Sequence, residues 1–313
     1  MPLVSIIVPT YNHQDYVQET LESIFSQTFH DYEVIVVNDG SPDNTRSVLL
    51  PYTKSGRIRY IEQTNHGQAA ARNHGLALSS GEFVAFLDDD DLWPSDKLEW
   101  QVDFLRKNPL VNAVGGRHLS AAPLYSPTTG DTRTELDVAA LYRWAGFISP
   151  GAVLFRATCL REIGGFDPCL WGSDDYDLYL RVARVSPIVL VDRLALWYRL
   201  HESNASKQAG RLLHNVTKCL NSHLRQETLF ASLKHRFRGA SFVYGCIARN
   251  VIKSSARGRK PRLRAGLVVA KSMWQWLLCN PRVGLWFFRE ALWGIDRRKS
   301  PLPSRTREFS ALQ

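Results

Sequence analysis

Over the first ninety residues, apolar positions come in short blocks separated by polar turn clusters. Val4-Ser5-Ile6-Ile7-Val8 has the length and composition of a strand and stops at Pro9-Thr10-Tyr11-Asn12. Val17, Leu21, Ile24 and Phe25 then recur at helical spacing, which gives one apolar face. Tyr32 to Val37 predicts a second strand, ended by the turn-forming run Asn38-Asp39-Gly40-Ser41-Pro42. Ser41 or Asp43 is placed to cap the helix that follows. Ile58 to Ile61 predicts a short third strand, Gly67 to Leu78 an Ala-rich helix, and Phe83-Val84-Ala85-Phe86-Leu87 a buried fourth strand. The order β-α-β-α-β-α-β argues for an α/β fold, a mostly parallel sheet with helices on both faces. Parallel connectivity brings the ends of the first, second and fourth strands to one rim, where open α/β sheets bind ligands.

That rim would carry Pro9-Thr10-Tyr11, Asp39 and four consecutive aspartates, Asp88 to Asp91. Like charges packed this closely oppose one another's ionisation, so a divalent cation is their natural partner. Oxygen ligands suit Mg²⁺ or Mn²⁺, and Mg²⁺ is usually held by one or two carboxylates together with substrate phosphates. The bland alternative is a solvated acidic loop or a set of helix caps. An aromatic for a base, carboxylates for base or ribose and a metal for phosphates make a nucleotide-like ligand plausible. No G-x-G-x-x-G follows the first strand and no G-x-x-x-x-G-K-[ST] occurs, which disfavours a dinucleotide site or a P-loop.

Composition adds a division of the chain. Of 313 residues, 44% are hydrophobic and 22% charged, as in ordinary folded proteins. The net charge of +9 is the balance of −9 over residues 1–204 and +18 over residues 205–313. This shift predicts a boundary near residue 205 and a second part that faces an anionic surface. Cys159, Cys169, Cys219, Cys246 and Cys279 are scattered and lack C-x-x-C spacing, which argues against a zinc site or a disulfide framework and for a reducing compartment. Met1-Pro2-Leu3 runs directly into a strand pattern, so no signal peptide is expected, and no uncharged apolar run reaches 18 residues.

Five motifs in order then resemble the family 2 glycosyltransferases of GT-A fold, from about residue 3 to 204. They begin with Val4 to Asn12, Val36-Val37-Asn38-Asp39-Gly40-Ser41 and Phe86-Leu87-Asp88-Asp89-Asp90-Asp91. Ile148-Ser149-Pro150-Gly151-Ala152 resembles the family's glycine loop, and Trp171-Gly172-Ser173-Asp174-Asp175 the segment carrying Glu-Asp before a helix. The resemblance implies that Pro9, Thr10 and Tyr11 line a nucleobase pocket and that Asp39 accepts a hydrogen bond from the base. Arg72 would reach the nucleotide or its phosphates, for which its fork of donors is suited. Asp88 and Asp90 match the family's Asp-x-Asp, with Asp88 toward the ribose and Asp90 on the metal. Asp89 fills a slot that is usually small or variable, and Asp91 is a secondary candidate. Gly151 would let the backbone pass close to the donor sugar. Asp175 maps onto the catalytic base, with Asp174 as the alternative; either could instead be a helix cap. Leu178, Val182 and Val185 form the expected buried face of that helix. His201 resembles a histidine that in some members touches metal or pyrophosphate, although a lone His is more often structural.

The implied reaction is metal-dependent, inverting transfer of a sugar from a nucleotide-diphospho-sugar, UDP-sugar favoured, to an acceptor hydroxyl, with Mn²⁺ or Mg²⁺ as cofactor. Residues 1–204 would form the GT-A nucleotide-sugar-binding and catalytic domain, and residues 205–313 a basic, mainly helical region. His118 to Arg133 reads as a loop in the stretch where acceptor choice varies. Arg257, Arg259, Lys260, Arg262 and Arg264 precede Trp274, Trp276, Trp286 and Trp293, a combination suited to a helix in a membrane interface. Packing on the catalytic domain or on a partner subunit is the alternative, and nucleic acid is not an expected partner. The expectation is therefore a cytoplasmic enzyme, peripheral on the cytoplasmic membrane face, acting on a glycan or lipid-linked acceptor of cell-surface polysaccharide synthesis. Two competing classes remain: a catalytically silent nucleotide-sugar-binding or scaffold protein, and a nucleotidyltransferase that releases pyrophosphate.

Overall fold

The computed structural model describes residues 1–119, 132–143 and 148–201, together with Asn215, Val216, Lys218, Cys219, Ser222 and His223. The chain forms two compact units, Met1–Gly239 and Ala240–Gln313, and every described residue lies in the first. The basic and Trp-rich stretch from Arg257 to Trp293 therefore lies outside the described residues, as do positions 120–131 of the expected acceptor loop.

The strands are β1 (Val4–Thr10), β2 (Tyr32–Asn38), β3 (Arg59–Glu62), β4 (Phe83–Phe86), β5 (Ala113–Leu119), β6 (Arg133–Leu136), β7 (Val153–Arg156) and β8 (Ile188–Trp197). The helices are α1 (Val17–Phe25), α2 (Thr45–Lys54), α3 (Gln68–Leu78), α4 (Lys97–Lys107), α5 (Val138–Arg143), α6 (Ala157–Glu162) and α7 (Asp174–Val185). The strands form one sheet in the order β3-β2-β1-β4-β7-β5-β8-β6. Strands β3, β2, β1 and β4 pair in parallel, as expected from the alternating pattern. The other half is mixed: β7 runs antiparallel to both β4 and β5, β8 is parallel to β5, and β6 is antiparallel to β8. His118 and Arg133, expected in a loop, are instead strand residues of β5 and β6. Their strand state follows from pairing with β8, a partner some sixty to eighty residues away that local composition does not announce.

Side chains alternate between two cores. Val4, Ile6, Val8, Val34, Val36, Phe83 and Ala85 pack with α1, α2 and α4 on one face. Ile7, Val84, Phe86, Val153 and Phe155 pack with α3, α5, α6 and α7 on the other. This period of two is what a sheet buried on both faces requires. Leu178 and Val182 lie in the second core, whereas Val185, the last residue of α7, is 55% exposed. Beyond the charge change at residue 205, Cys219 is buried in the second core and Asn215 Nδ2 donates to the Trp171 carbonyl (2.7 Å).

These directions decide which ends meet. β1, β2, β4 and β8 end on one rim, and β7 begins there because it is antiparallel to β4. Leu92 and Trp197 form a two-way backbone bridge (3.1 and 2.8 Å) that fastens the end of β8 to the acidic segment after β4.

Candidate active site

Each acidic group on the rim has a different set of partners. Asp39 is buried at the end of β2, and its Oδ1 accepts from Gln63 Nε2 (2.8 Å) and the His66 N–H (2.9 Å). Its Oδ2 accepts from the Gly67 N–H (2.8 Å). Gly67 precedes α3 with φ of +88°, a conformation that side chains resist. Asp39 therefore shapes the loop before α3, and part of its acceptor capacity is left for a ligand. Tyr11, 45% exposed, is the aromatic group at this edge. Thr10 is buried, with its hydroxyl unpartnered among the described residues, and Pro9 is buried within β1 opposite Val37.

Arg72 lies at the centre of the site. It is 3% exposed and joins two carboxylates from distant segments, Asp88 (Nη2 to Oδ1, 2.6 Å) and Asp174 (Nη1 to Oδ2, 3.1 Å). Burial alone would disfavour its charge, but Asp88 and Asp174 reverse that effect and hold the guanidinium protonated. Asp88 also accepts from Gln68 Nε2 (2.9 Å). Burial raises the Asp174 carboxyl while Arg72 pulls against it. Asp175 Oδ1 accepts from the Tyr176 N–H (2.7 Å), and burial together with the Asp174 charge pushes the carboxyl up to about 7. The pair that the sequence leaves interchangeable is thus divided: Asp174 is committed to Arg72, and Asp175 has proton affinity near neutrality, where a general base works best.

The aspartate run behaves as four separate groups. Asp91 is fully buried, accepts from the Arg199 N–H (3.0 Å), and is pushed up to about 9 by burial and the neighbouring Asp90 charge. Asp90 is raised by burial and by Asp88 and Asp89, and its Oδ2 lies 2.8 Å from His201 Nε2. Asp89 is 5% exposed; it accepts from the Tyr11 N–H (3.2 Å) and meets His13 Nδ1 at 2.7 Å. That hydrogen bond raises His13 against the opposing effect of burial.

One ligand atom each from His13, Asp90 and His201 lies within 4.8 Å of the others. Two imidazoles and a carboxylate with raised proton affinity fit a divalent cation well. His13 was not among the candidates from sequence, since position 13 falls in a turn just after the recognised strand motif. The signal that could have found it is chemical: an imidazole on the loop after β1, on the same rim as an unusually long acidic run.

Gly151, in the 3₁₀ turn Pro150–Ala152, is buried. Its carbonyl accepts from Trp93 Nε1 (2.8 Å), and a Cβ there would lie 2.9 Å from Leu196 Cδ1. Close packing against β8 thus accounts for glycine at this position. Lys97, also fully buried, sits 4.0 Å from the Trp93 ring and donates to Gln101 Oε1 (2.7 Å). Gln101 Nε2 donates in turn to the Ala152 carbonyl (3.0 Å), so α4 and Trp93 together fix the glycine turn at the rim.

A model of the family described as "Glycosyl transferase family 2" matches residues 5–164. The chain spans 36% to 52% of the length of the first curated relatives it matches. Chondroitin synthase of Escherichia coli is 30% identical over 235 residues, 72% of this chain and 33% of that protein. Among solved structures, S. aureus TarS 1-349 in complex with UDP-GlcNAc superposes with a TM-score of 0.66 at 19% identity, over 90% of this chain and 82% of that one. The mannosyltransferase PcManGT of Pyrobaculum calidifontis, in complex with GDP-Man and Mn²⁺, superposes with a TM-score of 0.60 at 20% identity, over 95% and 88%. At these identities the structures show a common fold.

Proposed function

The chain belongs to glycosyl transferase family 2, and from that premise we propose that it transfers a sugar, with inversion, from a nucleotide-diphospho-sugar to an acceptor hydroxyl with the help of a divalent cation. The observation that carries this reading is the bridge made by Arg72. It ties Asp88 of the donor-side acidic segment to Asp174, the immediate neighbour of the proposed base.

In this reading Tyr11, Thr10 and Asp39 form the nucleobase end, and Asp88 faces the ribose. A UDP-sugar is favoured, in line with the UDP-GlcNAc bound by TarS. Asp90 and His201 would hold Mn²⁺ or Mg²⁺, which when bound supplies positive charge to offset the charge that develops on the leaving diphosphate. Asp175 takes the proton from the acceptor hydroxyl as its oxygen attacks the anomeric carbon. Positioned general-base help of this kind is worth about 10²–10⁴ in rate. Arg72 holds Asp174 in an ion pair, so that within the acidic pair Asp175 is the group free to accept the proton. No covalent enzyme intermediate is needed.

The proposed acceptor is a growing glycan or a lipid-linked precursor of a surface polysaccharide; the relation to chondroitin synthase supports a glycan. Among the described residues no helix is long and apolar enough to cross a membrane. The +18 charge of residues 205–313 and their Trp cluster support peripheral attachment to an anionic, cytoplasmic-face lipid surface. Sedimentation of the full chain with anionic vesicles tests that attachment; no binding at low salt would refute it.

Screening a panel of nucleotide sugars for release of nucleoside diphosphate, with and without Mn²⁺ and chelator, tests the reaction. Release of the nucleoside diphosphate on transfer to an acceptor is expected. Release of pyrophosphate would point instead to a nucleotidyltransferase, and absence of any turnover or slow donor hydrolysis to a binding or scaffold role.

A further inference from the structure

We propose that His13 is a third protein ligand to the cation, turned toward it by Asp89, and that the resulting two-imidazole, one-carboxylate set selects Mn²⁺ over Mg²⁺. The inference rests on the metal-dependent reading above and adds to it a ligand, an orienting group and a choice of ion.

Three segments far apart in sequence are locked together around this point. Thr20, buried in α1, donates its hydroxyl to the backbone carbonyls of Asp89 (3.0 Å) and Asp91 (2.9 Å). That clamp fixes α1, and with it the turn carrying His13, onto the acidic segment. Arg199, just past β8, donates its Nε–H to the Asp90 carbonyl (2.9 Å) and its backbone N–H to Asp91, and pairs with Glu19 of α1. The His201 ring stacks on Tyr16 (5.0 Å between centroids) and meets His13 edge-on (5.5 Å). Both imidazoles therefore approach Asp90 from elements whose relative placement is fixed.

The second consideration is the tautomer. An imidazole that donates Nδ1–H to a carboxylate presents an unprotonated Nε2, the arrangement commonly found for metal-bound histidines. His13 Nδ1 and Asp89 Oδ1, 2.7 Å apart, provide this arrangement. Asp89 itself is held by the Tyr11 N–H. Asp89 thus has a task unlike that of its neighbours: it orients a ligand, while Asp90 supplies one.

The third consideration is donor chemistry. Mg²⁺ prefers oxygen ligands and keeps several waters, whereas imidazole favours transition-metal ions. Two imidazoles beside one carboxylate tip the balance toward Mn²⁺. A cation held by His13, Asp90 and His201 would supply positive charge to a bound diphosphate.

Titration of the full chain with MnCl₂, followed by the electron-paramagnetic signal of free Mn²⁺, tests the proposal, run with and without UDP and with MgCl₂ as competitor. The wild type is expected to prefer Mn²⁺ by at least about tenfold. His13→Ala and His13→Gln should each weaken Mn²⁺ binding about tenfold or more and erase most of the preference, with little change for Mg²⁺. Asp89→Asn should weaken Mn²⁺ binding by about 10–100-fold, the range typical of groups that orient metal ligands. Circular dichroism checks that each variant is folded. Either His13 variant, folded and with wild-type affinity and ion preference, would overturn the proposal while the metal-dependent reading stands. A wild type that binds neither ion, alone or with UDP, would overturn both.

Discussion

Two clusters in this molecule use nearly the same side chains and are built for different ends. On the rim, His13, Asp90 and His201 lie within 4.8 Å of one another, and so do Asp177, Cys219 and His223 beneath α7. The rim cluster is partly open and sits among four carboxylates, with Asp88 and Asp89 raising the proton affinity of Asp90. The cluster beneath α7 is buried and already neutralised. His223 Nε2 meets Asp177 at 2.7 Å, Arg181 pairs with the same carboxylate at 2.6 Å, and Arg184 donates to the other His223 nitrogen. Residue type alone therefore does not distinguish the two clusters; the surrounding charge does. The rim carries surplus negative charge, whereas at Asp177 and His223 the guanidinium groups of Arg181 and Arg184 supply positive charge and the Asp-His pair ties His223 to α7.

The contrast can be broken by substitution, and the largest effect belongs to the rim. Asp90→Ala is expected to abolish transfer and the metal-dependent part of donor binding, measured by calorimetric titration of UDP with and without Mn²⁺. Full metal-dependent affinity in that variant would remove Asp90 from the site. His223→Ala, the counterpart substitution, should leave Mn²⁺ affinity unchanged.

Next in size is Asp175→Asn, which should lower turnover by at least about 10² with donor affinity nearly intact. In the wild type Asp175 must be deprotonated to act, so activity should rise with pH through about 7 and then level off. If Asp174→Asn gives the large loss in turnover and Asp175→Asn does not, the base is Asp174.

Arg72→Met comes third and reads out in stability. It leaves Asp88 and Asp174 without their shared partner, and stranding buried charge in this way costs about 3–5 kcal/mol. Asp88 is 20% exposed at its side chain, so the lower end is expected, measured as a shift in urea midpoint. An unchanged midpoint would mean that the bridge carries no net stability.

The smallest effect sharpens the comparison from the other side. Burial works to raise Asp177, but the His223 hydrogen bond and the Arg181 charge outweigh it and hold the carboxyl below its ordinary value. A depressed folded pKa contributes stability that is present above the unfolded value, about 3.9, and is lost as pH falls through the folded one. His223→Ala should cost about 1–3 kcal/mol at pH 7, the penalty for removing one partner of a buried polar group. That difference from wild type should narrow below about pH 4 as Asp177 is protonated. A constant difference down to pH 2 would show that the cost comes from packing alone.

Much of the parallel half of the sheet is legible in the sequence alone. The alternation around Ile6-Ile7-Val8 and Phe83 to Phe86 reports a sheet buried on both faces, and the strands β1, β2 and β4 emerge where expected. Parallel connectivity alone brings Tyr11, Asp39 and Asp88 to one rim. The mixed half is less legible because its strands pair with remote partners. β7 inserts antiparallel between β4 and β5, and β6 meets β8, so local composition around His118 and Arg133 misleads. Val185 follows the helical period of α7 but is its last residue and is exposed, since periodicity does not show where along a helix the packing stops.

What the sequence determined by itself is therefore the set of local states: which residues share a face, where the turns fall, and which chemical groups sit at strand ends. Periodicity and turn chemistry are short-range, and they suffice for that. Only the tertiary structure decided which groups act together. Arg72 and Asp174 are 102 residues apart, His201 and Asp90 are 111, and His13 and Asp89 are 76. Those pairings depend on strand order and on the clamps made by Thr20 and Arg199, which no local pattern encodes. They separate Asp174 from Asp175 and give each of the four adjacent aspartates its own set of partners, because a carboxylate's behaviour is set by its burial and by the charges within a few ångströms.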